Sequence, residues 1–480
     1  MTKQLLFALF AFFFTQTSYA QDLIWAKGFA WFSPHMSTTV DAEGNLYLAG
    51  IDLGNHDIDP GPGVWAIPGP SNKAVGFVAK FDPTGQPLWL RSVGAPDAGM
   101  LFTGPAATGN PGNHNIEVGP DGYVHVLFSV QNTTSGKLFI YPGQTDTINT
   151  DASDVLLTFD PAGEFVFAEV IFGSSTCRST DFYVHPDGRV TVVGFFEGSL
   201  FPGSASRLRV SAGQTDGFIY QYNPFNYNVM ETRSRRIGGP QKDYCYGIAG
   251  DPAGDLFVGG MFFGDCDVDP ADDESFWLFL QNGQIHNGYL MKCDDDLDFQ
   301  WAQRIQTGGN LPPRIETDAA GNGYISTHVT GGVQVYRYSP TGNLDNGYDL
   351  GENTLGASAL EHLQYRVDEA GNLHCWRPEP SATHDLYDAV YRKIDGETSE
   401  LLSELRFPAT KWSAGLSLAV DALDNVFLTG SFEGIIDLDP GPAEQPYAAV
   451  APYPQRLFWV KLNEKCPTLG LKLLDVEPVG

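Results

Sequence analysis

The chain has 480 residues, of which 42% are hydrophobic and 13% aromatic, enough material for several cores or for one large closed repeat. Only 18% of residues are charged, yet the formal net charge is −30. That balance excludes the basic patches that nucleic acid needs, and it leaves an acidic, solubilising surface that attracts cations.

The first 20 residues read as a secretion signal. Lys3 gives the positive start, Leu5 to Phe14 is an apolar run too short to span a bilayer, and Ser18-Tyr19-Ala20 offers a small-residue cleavage site before Gln21. No later stretch is apolar enough to cross a membrane. The six cysteines (Cys177, Cys245, Cys266, Cys293, Cys375, Cys466) are too few for a disulfide scaffold at this length. Export would permit bridges, and six cysteines leave 15 full pairings open.

Beyond the leader, Leu23 to Phe29 has strand character and precedes any turn. The first complete unit follows. Thr38-Thr-Val40 enters the tight turn Asp41-Ala-Glu-Gly-Asn45, and Leu46-Tyr-Leu-Ala49 leaves it. After a long connection come a third strand, Gly76 to Phe81, a second tight turn, Asp82-Pro-Thr-Gly85, and a fourth strand, Leu88 to Val93. Pro pre-sets φ at the second turn position, and the Gly after it takes the left-handed position of a bulged hairpin.

The first turn recurs at Gly119-Pro-Asp-Gly-Tyr123, His185-Pro-Asp-Gly-Arg189, Asp251-Pro-Ala-Gly-Asp255, Asp318-Ala-Ala-Gly-Asn322 and Asp368-Glu-Ala-Gly-Asn372. A seventh, degenerate copy is Asp421-Ala-Leu-Asp-Asn425. Second turns recur at Asp160, Asn223 and Ser339, and more weakly at Asp294, Asp395 and Asn463. The fourth strand recurs around Trp25, Trp89, Phe167 and Trp301, where aromatic side chains read as strand packing rather than ligand stacking.

Seven copies of a four-stranded antiparallel unit predict an all-β, seven-bladed β-propeller over residues 21–465, followed by a tail, 466–480. The orphan strand is expected to complete the last blade and so close the ring.

These elements resemble the SBBP-type β-propeller repeats of secreted bacterial proteins, common in bacteria that use type IX secretion. The resemblance is carried by Asp-x-x-Gly-Asn, Leu-Tyr-Leu-Ala-Gly, Asp-x-Asp-Pro-Gly-Pro, Phe-Val-Ala-Lys-Phe-Asp and Leu-Trp-Leu-Arg. Its best copies are Asp41–Arg91 and Asp251–Gln303, and Asp421–Lys461 matches the first three elements. It implies a propeller and export, and it brings no shared catalytic residues. Relatives often end in a sorting domain that anchors them to the cell surface. The tail Cys466 to Gly480 is too short for one.

Tight turns join strands one to two and three to four, so they share one face of the disc. The long connections, with the insert Gly99–Asn115, fall on the other face, where a binding surface is expected. These connections carry Asp57-Ile-Asp59, Asp265-Cys-Asp267-Val-Asp269 and Asp437-Leu-Asp439, each followed by Pro. Alternate carboxylates suit calcium. The competing assignment is an Asx turn running into a Pro turn.

No nucleophile elbow, His-Glu-x-x-His, phosphate loop or Cys-x-x-Cys pair is present. The ten histidines are scattered and read as structural or exposed. The expected function is therefore a non-enzymatic secreted or cell-surface scaffold that binds glycan or protein ligands through the long-loop face. The alternative is an extracellular polysaccharide hydrolase or lyase. That activity would require two or three buried carboxylates converging with an Arg or Tyr at the propeller mouth.

Overall fold

The computed structural model describes residues 21–464 apart from 29–35, 53–55, 60–62, 70–73, 96–98, 103–114, 132–135, 143–146, 150–153, 202–203, 205, 226–231, 272, 282, 309–311, 330–331, 353–362, 382–383, 440–445 and 450–454. The leader, residues 1–20, and the tail from Cys466 lie outside the described residues.

The tight turns behave as their chemistry demands. In the first, Asp41 N donates to Asn45 O and Gly44 N donates to Asp41 O. The Asp41 carboxylate accepts the Glu43 and Asn45 backbone N–H groups. Gly44 sits at φ +79°. The copy without glycine keeps the geometry by placing Asp424 at φ +59°. Asp is among the few residues that tolerate the left-handed region, because its short side chain bonds locally.

Seven four-stranded antiparallel blades result. Blade 1 consists of Met36–Val40, Leu46–Asp52, Val75–Phe81 and Pro87–Gly94. Blade 2 has Ile116–Val118, Val124–Gln131, Asp154–Phe159 and Phe165–Ile171, and blade 3 has Cys177–Val184, Val190–Leu200, Arg209–Tyr222 and Arg233–Ile237. Blade 4 runs Asp243–Gly250, Leu256–Phe262, Asn287–Cys293 and Phe299–Ile305. Blade 5 is Ile315–Thr317, Gly323–Val329, Gly332–Tyr338 and Leu344–Glu352. Blade 6 is Gln364–Val367, Leu373–Pro380, Tyr387–Ile394 and Leu401–Phe407.

Blade 7 takes Trp412–Val420, Val426–Glu433 and Gln455–Glu464 from the end of the chain and Gln21–Gly28 from its start. The closing register pairs Gln21 with Glu464 and Gly28 with Phe458. The first strands touch one another in cyclic order, blade 1 to blade 7 and back to blade 1, so they form the inner wall of the ring. Among the described residues no helix is long and apolar enough to cross a membrane.

The core is divided rather than central. Seven hydrophobic clusters appear among the described residues, and each lies between two neighbouring blades. Tyr47, Val78 and Trp89 of blade 1 meet Val126, Leu157 and Phe159 of blade 2, for example. Tyr324 and Tyr348 of blade 5 meet Tyr365 and Leu373 of blade 6. A twisted sheet cannot bury both faces alone, and each blade does so only against its two neighbours.

The structure refines one sequence expectation. The insert Gly99–Asn115 is not wholly loop. Gly99–Phe102 pairs with Phe128–Gln131, extending the inner edge of blade 2 beyond Ile116–Val118. Residues 103–114 lie outside the described set. A hairpin of Lys137–Tyr141 and Thr147–Asn149 also crosses back to pair with Ser92–Gly94, covering part of the outer edge of blade 1. The five described cysteines are buried free thiols.

Candidate binding sites

The Asp-x-Asp motifs sit in hairpins between strands two and three of blades 1, 4 and 7. In each, the aspartate two residues before the Asp-Pro pair is used by the backbone. Asp57 accepts the Asp59 N–H at 2.9 Å and the Trp65 N–H at 2.6 Å. Asp267 accepts Asp269 N–H at 3.2 Å and Phe276 N–H at 2.9 Å. Asp437 accepts Asp439 N–H at 3.1 Å. These are Asx turns that brace a hairpin. The structure separates Asp265, which is exposed, from half-buried Asp267 and buried Asp269. The copies fall on three different blades, and among the described residues no group of three or more His, Cys, Asp or Glu side chains is arranged to hold a metal ion.

The hairpins also stitch blades together. Gly238, at the exit of blade 3, exchanges backbone hydrogen bonds with Asp267 of blade 4 at 2.9 and 3.3 Å. Thr410, at the exit of blade 6, donates to Ile435 O of blade 7. Gly239 has no side chain because a Cβ there would lie 2.0 Å from the Asp265 carbonyl.

Beside this stitch lies a groove on the long-loop face. Its volume is about 330 Å³, and it is lined by Leu208, Arg209, Val210 and Arg236 of blade 3 and by Asp267, Asp269, Ala271 and Glu274 of blade 4. Arg236 reaches buried Asp216 at 3.6 Å. Burial pushes the Asp267 carboxyl up, against the two N–H groups that pull it down.

Next to the groove stands an apolar shelf. Trp277 is 43% exposed, Phe279 57% and Ile285 73%. Phe276 anchors the shelf on Phe299, with ring centroids 5.0 Å apart, and Arg304 holds the Phe279 carbonyl at 3.1 Å. Contiguous exposed aromatics beside a polar groove mark an interaction surface. Sequence reasoning passed over this shelf. Its signal was there: Phe276-Trp-Leu-Phe-Leu280 is an apolar run inside a connection rich in Asp and other polar residues.

A second cavity, of about 230 Å³, lies on the axis near the tight-turn ends of the inner strands. Its polar lining is Thr39, Glu117, Tyr183, Glu316, Thr317 and Arg366. Most of these lie two residues before a tight turn, so counting back from the turns would have found them. Arg366 donates to Glu316 at 2.7 Å. Glu117 accepts the Val184 N–H at 3.2 Å.

One layer deeper, four residues before six of the seven turns, lie Ser37, Asn115, Asp181, Arg314, Gln364 and Ser417. They link neighbouring inner strands. Ser417 accepts the Thr38 N–H, Ser37 accepts the Asn115 N–H and Asp181 accepts the Ile248 N–H. Arg314 donates to Gln364 at 2.5 Å. Burial pushes Glu117 and Asp181 each up to about 8, with Asp181 adding to the rise of Glu117 and Glu316 to that of Asp181. Burial also lowers Arg314 to about 10, with Arg366 adding to the effect.

Two of the described histidines brace the scaffold. His185 binds Thr191 at 2.7 Å, and His374 bridges Tyr391 and Asp368 at 2.8 and 3.2 Å.

A family model for the SBBP β-propeller repeat matches residues 233–261, the outer strand of blade 3 and the first hairpin of blade 4. No curated protein matches the sequence. Among solved structures, the acylaminoacyl peptidase of Pyrococcus horikoshii is 11% identical with a TM-score of 0.42, over 87% of this chain and 53% of that one. A puromycin hydrolase is 12% identical with a TM-score of 0.45, over 88% of this chain and 56% of that one. A protein of unknown function from Dyadobacter fermentans is 10% identical with a TM-score of 0.37, over 93% and 99% of the two chains. The chain thus spans about half the length of the two hydrolases.

Proposed function

We propose that this propeller is a non-enzymatic binding scaffold, exported through its leader and either released or held at the cell surface, and that it takes saccharide in the groove between blades 3 and 4. The observation that carries this reading is the pairing of an exposed indole and phenyl shelf with a groove of carboxylates and guanidiniums. The C–H face of a sugar ring stacks on Trp277 and Phe279 with little entropic loss, because both side chains hang from a braced hairpin. Its hydroxyls meet the planar hydrogen-bonding groups of Arg236, Asp267 and Glu274. A volume near 330 Å³ suits one or two rings of a longer chain, and a protein partner would need a much wider patch. The SBBP match and the leader together support a surface role of the type IX kind.

Glycan-array screening of the wild type, followed by titration of the best hit, tests this. Trp277→Ala and Phe279→Ala should each weaken binding about tenfold or more while the fold is kept, since both side chains are part exposed, at 43% and 57%. Array-negative wild type, or an unchanged Trp277→Ala, overturns the reading. The titration is run in EDTA and again with calcium. Equal affinity is expected, because backbone N–H groups already use Asp57, Asp267 and Asp437.

The hydrolase or lyase alternative has one observation in its favour: carboxylates, Arg and Tyr do converge in the axial cavity. There Glu316 is committed to Arg366, and Glu117 is held as the neutral acid, so the pair lacks an unengaged base. A reducing-sugar assay on the bound glycan decides, and no release is expected.

A further inference from the structure

We infer that the axial cavity is a second site, separate from the saccharide groove, and that it takes a small organic cation, a primary amine, with Glu117 as its counter-ion. The first ground is how the charges in the cavity are shared. Arg366 is spent on Glu316 and on the Tyr365 carbonyl, at 2.7 and 3.0 Å. Arg314, a layer below, is spent on Gln364. Asp181 is satisfied by the Phe182 and Ile248 N–H groups, at 3.0 and 3.1 Å. Glu117 keeps one oxygen, Oε2, on the Val184 N–H, and Oε1 has no partner among the described residues. Once Glu117 ionises, the lining holds two carboxylates, Glu117 and Glu316, against one guanidinium, Arg366, so an ammonium is favoured there over an anion.

The second ground is shape and lining. An ammonium offers three donors, and the wall beside Glu117 carries the Tyr183 and Thr317 oxygens. Thr317 donates its own proton to Gly250 O at 2.6 Å, leaving its lone pairs for a guest. Tyr183 is fixed there because residue 250 is glycine, where a Cβ would lie 2.1 Å from the phenol ring. Ile116, Phe182 and Ile248 supply the apolar side for a short alkyl stem. A net charge of −30 raises the local concentration of any cation at the mouth.

Uptake is linked to a proton. Burial holds the Glu117 carboxyl up near 8; the Val184 N–H and Arg366 pull it down, while Asp181 and Glu316 push it up. Tyr183 stays neutral, its hydroxyl pushed up by burial and then by Glu117. At pH 7 Glu117 is therefore mostly the neutral acid, and seating an ammonium ionises it and expels a proton. Affinity should rise about tenfold per pH unit from pH 6 towards 8 and then level off.

Calorimetry with ethylamine on the full chain tests this at pH 6, 7 and 8, in two buffers of different protonation heat, with ethanol as the neutral control. The expected result is millimolar binding of ethylamine but not of ethanol, with close to one proton released at pH 7. Glu117→Gln retains an acceptor for the Val184 N–H, so it should fold with wild-type circular dichroism while binding ethylamine at least about tenfold more weakly at pH 8. Trp277→Ala should bind ethylamine like wild type, which separates this site from the groove. Ethylamine binding no better than ethanol, a pH-independent affinity, or an unimpaired Glu117→Gln overturns the inference. Should that variant misfold, the wild-type pH slope and the ethanol control still decide.

Discussion

At the scale of single residues, the fourth-strand tryptophans show how one blade is strapped to the next. Trp25 Nε1 donates to Pro83 O, Trp89 Nε1 to Pro161 O and Trp301 Nε1 to Pro340 O, at 3.1, 3.1 and 2.9 Å. In each case the acceptor belongs to the second tight turn of the following blade, and the indole lies over that turn's glycine. A Cβ on Gly163 would come within 2.5 Å of Trp89, and one on Gly342 within 2.8 Å of Trp301. The Pro-x-Gly turn therefore does two things: it reverses the chain and it makes a seat for the neighbour's ring. Both halves were legible in the sequence as separate repeats, a turn and a packed Trp. Their partnership was not, because the partners lie 72 residues apart in the case of Trp89. Where Phe167 replaces the Trp, the ring packs on Tyr222 of blade 3 instead. Trp89→Phe should cost about 1 kcal/mol, the worth of one hydrogen bond, whereas Trp89→Ala should cost about 3–5 kcal/mol through the cavity left between blades 1 and 2. Urea unfolding of both variants checks this: a Trp89→Phe as stable as wild type would mean that the indole N–H contributes nothing, and equal losses in the two variants would mean that the ring's packing does not.

At the scale of elements, the strand that closes the ring and the hairpins that link blades behave differently under sequence reasoning. The closing strand Gln21–Gly28 was readable, because it is a fourth strand with no first three before it. The linking hairpins were readable only as acidic turns. Their pairing with the exit of the preceding blade, as between Gly238 and Asp267, is long-range and leaves no local pattern. The exposed shelf on one of those hairpins was missed for the same reason, since exposure is decided by what the hairpin packs against. The closing strand contributes Ala26 and Leu23 to the cluster between blades 6 and 7 and Trp25 to the one between blades 7 and 1. A protein beginning at residue 29 would leave Gln455–Glu464 as a bare edge and open both clusters. Its Tm should fall on the order of 10 °C, several kcal/mol for a lost strand and its Trp. A synthetic peptide of residues 21–28 added in excess should restore part of the loss. An unchanged Tm in a scanning calorimeter would show that the ring holds without its latch.

At the scale of the whole molecule, several carboxylates are buried against backbone amides. Asp154 accepts the Ser179 N–H, Asp216 the Ala212 N–H and Asp243 the Gly239 N–H. Burial raises the first two to about 6 and Asp243 to about 7, while Asp181 and Glu117 stand at about 8. In the unfolded chain all five would ionise near pH 4. Between that value and each folded value the native state holds protons that the unfolded state has lost, so stability is lost as pH rises, at about 1.4 kcal/mol per pH unit for each fully linked proton. Asp368 works in the opposite sense. Against the push of burial, His374 and Asn372 hold its carboxyl below the ordinary range, so its contribution is present above pH 4 and lost in acid. The expected optimum lies near pH 5, with Tm falling steadily to pH 8. Surface repulsion from the net charge of −30 acts in the same direction, and 0.5 M salt screens it while leaving the buried acids untouched. The fall in Tm from pH 5 to 8 should therefore persist in 0.5 M salt, and Asp181→Asn, which keeps an acceptor for the Ile248 N–H, should reduce its slope. A Tm that is flat or rising over that range in high salt would mean that the buried acids are hydrated, and the ring looser along its axis than these contacts describe.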